Sequence, residues 1–474
     1  MTRTITMMNA HLFAVILSTA LLGFGCGAGG RDGEGLLGGD GGVFGDGGLF
    51  GDDTEPYDEP QITVISSSTI SPDGTVVIKA LVDEEETPLV NWVVRFTMQC
   101  ETGPCPTNNH IERGEFGEGE PREISFRRTF AGTGSPEVTF GAVDIEVSYL
   151  VKPNDERQAR IQHSYNIAKD PLRNQPDTVV IDSSDDFEDL PLDADGTLEG
   201  DVLIDGVVGL EDLTGLTGVR HITGSLIIRS NPDLTSLDGM QALVSIGGRF
   251  EISHNWNLEA LGSFDKLESI GEALEIRGVQ AAREMPHLPV LERCGSVRLV
   301  ETSALQTVYG FPALQQTRGF DMIDNVALER ISLQSNNLPN IDYFLLERNR
   351  ALLQLQLPSS LTRIDEIRVE RNRALEDLGG FSGITGARLL TVDYNHSIPD
   401  LTGLEQIESV DLLHIEHNHE LITLDGLDNL QKVEDEVVIK RNHKLPACEA
   451  DAFASRLGSP TKEIERNNNE ATCN

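Results

Sequence analysis

From residue 178 to the C-terminus one asparagine-centred pattern recurs at a nearly fixed step. That step constrains the fold of this chain more than any other feature. Leu226-Ile-Ile-Arg-Ser-Asn231-Pro-Asp-Leu, Phe250-Glu-Ile-Ser-His-Asn255-Trp-Asn-Leu and Ile367-Arg-Val-Glu-Arg-Asn372-Arg-Ala-Leu align without gaps. The same frame places Asn325, Asn349, Asn395, Asn418, Asn442 and Asn467, with steps of 23–25 residues. Val207, Val279 and Thr302 hold the asparagine position in three more turns, making twelve. A period in this range means coils that bury a common core only by stacking on one another. The flanking Leu and Ile fill that core. The asparagine amide, which both donates and accepts, is expected to satisfy backbone groups at a corner of its own and the adjacent coil. Twelve strands ~4.8 Å apart give a rod of roughly 55 Å. The expected fold class is mainly β: a right-handed leucine-rich β-solenoid of about twelve coils, preceded by a β-sandwich.

The residues before the repeat read differently. Residues 1–25 carry one basic residue, Arg3, and an apolar stretch from Leu12 to Phe24 that ends in small residues, the pattern of a secretory signal. Leu21-Leu22-Gly23-Phe24-Gly25-Cys26 resembles the lipobox of bacterial lipoproteins, with Gly23 where that family prefers leucine. The resemblance implies lipidation of Cys26 and an envelope location, outer membrane or cell surface; simple secretion is the alternative. Residues 26–60 are so rich in Gly and Asp that they cannot bury enough apolar area to offset chain entropy, and a flexible tether is expected.

Residues 61–169 alternate with period two. Trp92, Val94 and Phe96 share one strand face, and Val143, Ile145 and Val147 another. About seven short strands suggest a β-sandwich. Ser71-Pro-Asp-Gly-Thr-Val-Val-Ile-Lys-Ala-Leu-Val-Asp with Pro88-Leu-Val-Asn-Trp-Val-Val-Arg-Phe-Thr97 resembles the bacterial immunoglobulin-like modules of surface adhesins, which implies a spacer. In an exported chain, Cys100 and Cys105 are expected to staple a tight loop. Residues 170–177 read as a linker, and 178–474 as the solenoid with its cap.

Within the repeat, Val219-Arg-His-Ile-Thr-Gly-Ser-Leu-Ile-Ile and the recurring Leu-x-x-Leu and Asn-x-x-Leu elements resemble the receptor L-domain, the leucine-rich β-helical module of insulin and epidermal growth factor receptors. The chain has about twice the coils of one such domain and lacks the receptors' cysteine-rich module, so the resemblance implies recognition by a solenoid surface and not receptor signalling. Residues 445–457 read as a short amphipathic helix, and a Cys448–Cys473 bridge over the last coil would help close the open end. Cys294 reads as a buried free thiol.

Charge narrows the function. Lys and Arg number 37 against 77 Asp and Glu, a net −40 that repels phosphate backbones and argues against nucleic acid as a partner. Coil lengths vary by only a residue or two, leaving no long loops to wall a catalytic cleft. The chain also lacks a nucleophile elbow, an HExxH helix and a phosphate loop. No enzymatic activity, cofactor or metal is expected.

The candidate binding face lies at the frame asparagines. Two residues before them stand Glu347, Glu370, Asp393 and Glu416, then Lys440. One residue before stand Arg348, Arg371, Tyr394, His417, Arg441 and Arg466, and one after stand Arg350, Arg373, His396, His419 and His443. Carboxylates ~5 Å apart in register repel unless neighbouring cations pair with them. A salt-screened surface ladder, a polar recognition strip and a cation site are the three readings of this pattern. The leading expectation is non-catalytic recognition or adhesion, with a protein or glycan as partner. A structural role in the envelope or matrix comes second, and a β-helical glycan-active enzyme third. The histidines predict binding that strengthens as pH falls through ~6.5.

Overall fold

In a computed structural model, the residues described are eight strands between Gln61 and Lys169, then residues 175–457, 461–465 and 467. Residues 1–60, on which the expected signal, the expected lipidation of Cys26 and the expected tether fall, lie outside them.

The eight strands form two sheets. One is antiparallel and holds Gln61–Val64, Thr75–Asp83 and Glu123–Thr129. The other orders Thr69–Ile70, Gln158–Lys169, Val138–Leu150, Leu89–Cys100 and Gly103–Glu115. Here Trp92 lies opposite Val147, and Val94 opposite Ile145; Val94, Ile145 and Val147 are buried. On the alternate face Glu146 accepts from Arg95 and Arg160, each at 3.3 Å. Cys100 pairs with Gly103 across a hairpin, but the cysteine side chains at 100 and 105 lie outside the description.

From Thr178 onward the chain is a parallel β-solenoid of about twelve coils. Its long sheet takes one strand from each pass, from Thr178–Ile181 through Asp201–Asp205 and Leu226–Arg229 to Lys432–Lys440 and Thr461–Glu465. One coil shows the construction. Leu226 and Ile228 point inward from the strand, then Leu234, Leu237, Met240, Leu243 and Ile246 follow at three-residue steps, all at most 2% exposed. A step of three returns a side chain to the core where the backbone keeps turning, whereas the strand itself uses a step of two. A second ladder runs through Ile222, Ile246, Ile270 and Cys294 in register. Cys294 therefore takes a position that three coils give to isoleucine, and burial pushes its thiol up to about 12. The glycine after Ile246, Ile270 and Cys294 has a steric cause: a Cβ on Gly247 would sit 2.0 Å from the Thr223 carbonyl oxygen of the preceding coil.

The asparagines form a hydrogen-bonded spine. The backbone N–H of Asn349 donates to Asn372 Oδ1 at 3.1 Å, and that of Asn372 to Asn395 Oδ1 at 3.0 Å. Each amide nitrogen reaches back to the carbonyl three residues before the previous frame position, as Asn372 Nδ2 does to Leu346 O at 3.0 Å. The pattern continues to Asn467, and all nine asparagines are buried. It is interrupted at Val279, which has no acceptor to offer Asn255, and it restarts where Thr302 N–H donates to Asn325 Oδ1 at 3.0 Å. A packing gap lined by Leu261, Ile276, Val279, Ala282, Met285 and Thr302 lies at the interruption.

The last coil is covered by helix α1, Ala447–Arg456. Glu449 accepts the Leu424 N–H at 2.8 Å, and Arg456 donates to Leu430 O at 2.6 Å and Leu427 O at 2.8 Å. Cys448 lies in the first turn of this helix; Cys473, the partner expected for it, lies outside the described residues.

Candidate functional site

Each long-sheet strand ends in a turn that aims the candidate side chains. The residue before the frame asparagine has a left-handed backbone in coil after coil: Ser230, His254, Glu301, Asp324, Arg348, Arg371, Tyr394, His417 and Arg441, all with φ between 54° and 58°. Gly206 and Gly278 fill the same position in two other coils with positive φ. Non-glycine residues avoid this conformation at a cost of about 1–3 kcal/mol. Here a rung of the ladder holds it, because the amide of the left-handed residue donates to the next coil, as Arg348 N–H does to Glu370 O at 3.0 Å. In the sequence this position stands out only as one column of the candidate binding face. The two glycines there were the available sign of its backbone requirement.

The turn separates residues that are adjacent in sequence. Arg348 and His417 are 5% and 6% exposed, so these two residues of the expected face are enclosed by the corner. Arg348 Nε donates to Asp324 Oδ2 at 2.9 Å and also pairs with Glu347. Arg371 lies 4.5 Å over the Tyr394 ring, Tyr394 stacks on His417 with centroids 4.0 Å apart, and Arg441 donates to His417 Nε2 at 2.9 Å. Arg371, Tyr394 and His417 thus stack on three successive coils, and Arg441 extends the series to a fourth through its hydrogen bond.

The carboxylate column beside it is half-buried. Glu347 and Glu370, Glu370 and Asp393, and Asp393 and Glu416 are direct strand neighbours. Burial, then the Glu347 charge, push the Glu370 carboxyl above its ordinary value, although Arg368 and Arg371 lie 3.5 and 3.7 Å away. Burial, then the charges of Glu370 and Glu416, push Asp393 well above its own, against one backbone hydrogen bond from Glu416 N–H at 2.8 Å. Glu416 pairs with Lys440 at 3.4 Å, which ends the column.

After the asparagine comes the most accessible column. Arg373 and His443 are exposed, whereas Arg350, His396 and His419 are half-buried. The His396 and His419 rings stack at 4.4 Å and 7°, and His419 meets His443 edge-on at 5.5 Å. Among the described residues no group of three or more His, Cys, Asp or Glu side chains is arranged to hold a metal ion. Two other charged groupings on the long sheet escaped the sequence reading. Arg298 bridges Glu275 at 3.4 Å and Asp321 at 2.8 Å, and the nearly fully buried Arg229 and Asp205 pair at 3.0 Å. Each joins residues 23 or 24 apart, so the coil period itself was the signal that could have found them.

Compared with known proteins, the chain matches no family model, no curated protein and no solved structure.

Proposed function

We propose that this protein is a non-catalytic recognition or adhesion protein of the cell surface, held at the envelope by a lipid on Cys26. It binds a protein or glycan through the charged corner of its solenoid. The observation that carries this reading is the alignment of planar cationic and aromatic side chains on successive coils, Arg371–Tyr394–His417–Arg441 beside His396–His419–His443. A repeated corner holds such groups in place before a ligand arrives, so little side-chain entropy remains to be lost on binding. The likeness to the receptor L-domain supports the same reading. In it the immunoglobulin-like β-sandwich acts as a spacer, with Cys100–Cys105 and Cys448–Cys473 as its and the cap's staples.

The test uses the full chain, fluorescently labelled, on intact cells of the source organism. Saturable binding is expected, and it should weaken at least about tenfold in an Arg373→Ala, His419→Ala, His443→Ala variant whose circular dichroism is unchanged. Saturable binding that the triple variant leaves intact would overturn the site. The second reading, a stiff structural element of the envelope, draws on the asparagine spine, and absence of saturable binding to any cell would favour it.

A further inference from the structure

Three successive coils carry an additional parallel ladder on another side of the solenoid: Thr307–Gly310, Arg330–Leu333 and Gln354–Gln356. Val308 and Ile331 point into the core. The alternate residues therefore form two rows on the outer side of the ladder, Thr307–Arg330–Gln354 and Tyr309–Ser332–Gln356, each in direct register, with Ser332 only 7% exposed between its neighbours. Arg330 Nε donates to Gln354 Oε1 at 2.8 Å, and Ser332 Oγ to Gln356 Oε1 at 3.2 Å. With both amide oxygens engaged, the glutamine amide NH2 groups remain as donors. Tyr309 is 59% exposed at one end of this facet, and Leu353, beside Gln354, is 49% exposed.

The rest of the rod does not look like this. At the equivalent two positions six other coils carry Asp212, Asp238, Glu284, Asp377, Asp400 and Asp425, and the coil of Asn255 carries Ala260 and Gly262, which offer no hydrogen-bonding side chain. Glu284 bridges directly to Thr307, so the carboxylates stop where the facet begins. In a chain of net charge −40, these six positions hold no acid and a single cation.

We infer that this facet is a binding site for an uncharged, extended glycan chain. A polyanion would approach a strongly negative molecule and find one guanidinium, so long-range electrostatics oppose it. A neutral polyhydroxylated chain pays no such penalty. Its hydroxyls can both accept from the amides and donate to the Thr307 hydroxyl oxygen, while an apolar sugar face can lie on the exposed Tyr309 ring and Leu353. Strands ~4.8 Å apart present like groups at a spacing close to one pyranose unit. The facet is separate from the charged corner and takes a ligand of different chemistry, so it stands or falls independently of the function proposed above.

The experiment is native affinity electrophoresis of the full chain through gels containing hydroxyethyl cellulose, dextran or galactomannan, with alginate as the polyanionic probe. Retardation by at least one uncharged polymer is expected. It should be lost in Tyr309→Ala and in Gln354→Ala/Gln356→Ala, all exposed positions, and kept in Arg373→Ala/His443→Ala. No retardation by any uncharged polymer, retardation by alginate alone, or retention unchanged in both facet variants would each overturn the inference. Loss in the Arg373/His443 variant with the facet variants unaffected would also overturn it, and would instead place glycan binding at the charged corner.

Discussion

The left-handed residue before each asparagine is the smallest unit on which this rod depends. A β-branched side chain there meets its own backbone, whereas glycine does not. Ser230→Val is therefore expected to lower stability by about 1–3 kcal/mol, with Ser230→Gly close to neutral; urea unfolding of the two variants measures the difference. Asp393 provides a second test. Its folded carboxyl is held well above the ordinary value of 3.8, mainly by burial and then by Glu370 and Glu416. The native state thus binds the extra proton, and stability must fall as pH rises from the ordinary value through the elevated one. Asp393→Asn keeps an oxygen for the Glu416 N–H and removes the charge. It should raise stability near neutral pH by about 1 kcal/mol or more and flatten the fall between mildly acidic and neutral pH. Thermal melts across that range would show it; a variant that loses stability at neutral pH would contradict it.

At the scale of the element, the spine is a chain of dependencies between coils. Removing the side chain in Asn372→Ala leaves the Asn349 N–H and the Leu346 carbonyl buried without that partner. A cost of about 2–4 kcal/mol is expected, since each orphaned group forfeits its desolvation. The reverse change is available at Val279, where the spine is interrupted beside a packing gap. Val279→Asn supplies an acceptor for Asn255 and should stabilise the rod by about 1 kcal/mol, read as a higher midpoint in the same urea titration. The spine was legible in the sequence because asparagine is conspicuous in a leucine-rich frame and its spacing is regular. The left-handed turn was not. Nine non-glycine positions in that conformation hold six residue types and leave no single common letter to see, and only the ladder of hydrogen bonds around them reveals why they are tolerated.

At the scale of the molecule, periodicity gave away the coil number, the inward leucines and the registers of charged columns such as Glu347–Glu370–Asp393–Glu416. What it could not give was exposure. Arg348 and Arg350 flank the same asparagine, yet the corner encloses Arg348 and leaves Arg350 half-exposed. Nor did it isolate the facet at Tyr309 and Gln356, whose meaning depends on a third ladder that runs as full strands through three coils among those described. The repeated corner has one more consequence, and it concerns the gene. Glu347–Leu352 and Glu370–Leu375 have the same six residues, Glu-Arg-Asn-Arg-Ala-Leu, at corresponding places one coil of 23 residues apart. An unequal exchange between the two copies would delete or duplicate one whole coil while leaving strand, turn and asparagine in frame on both sides. Rods one storey shorter or taller are the length variants to look for among natural versions of this chain.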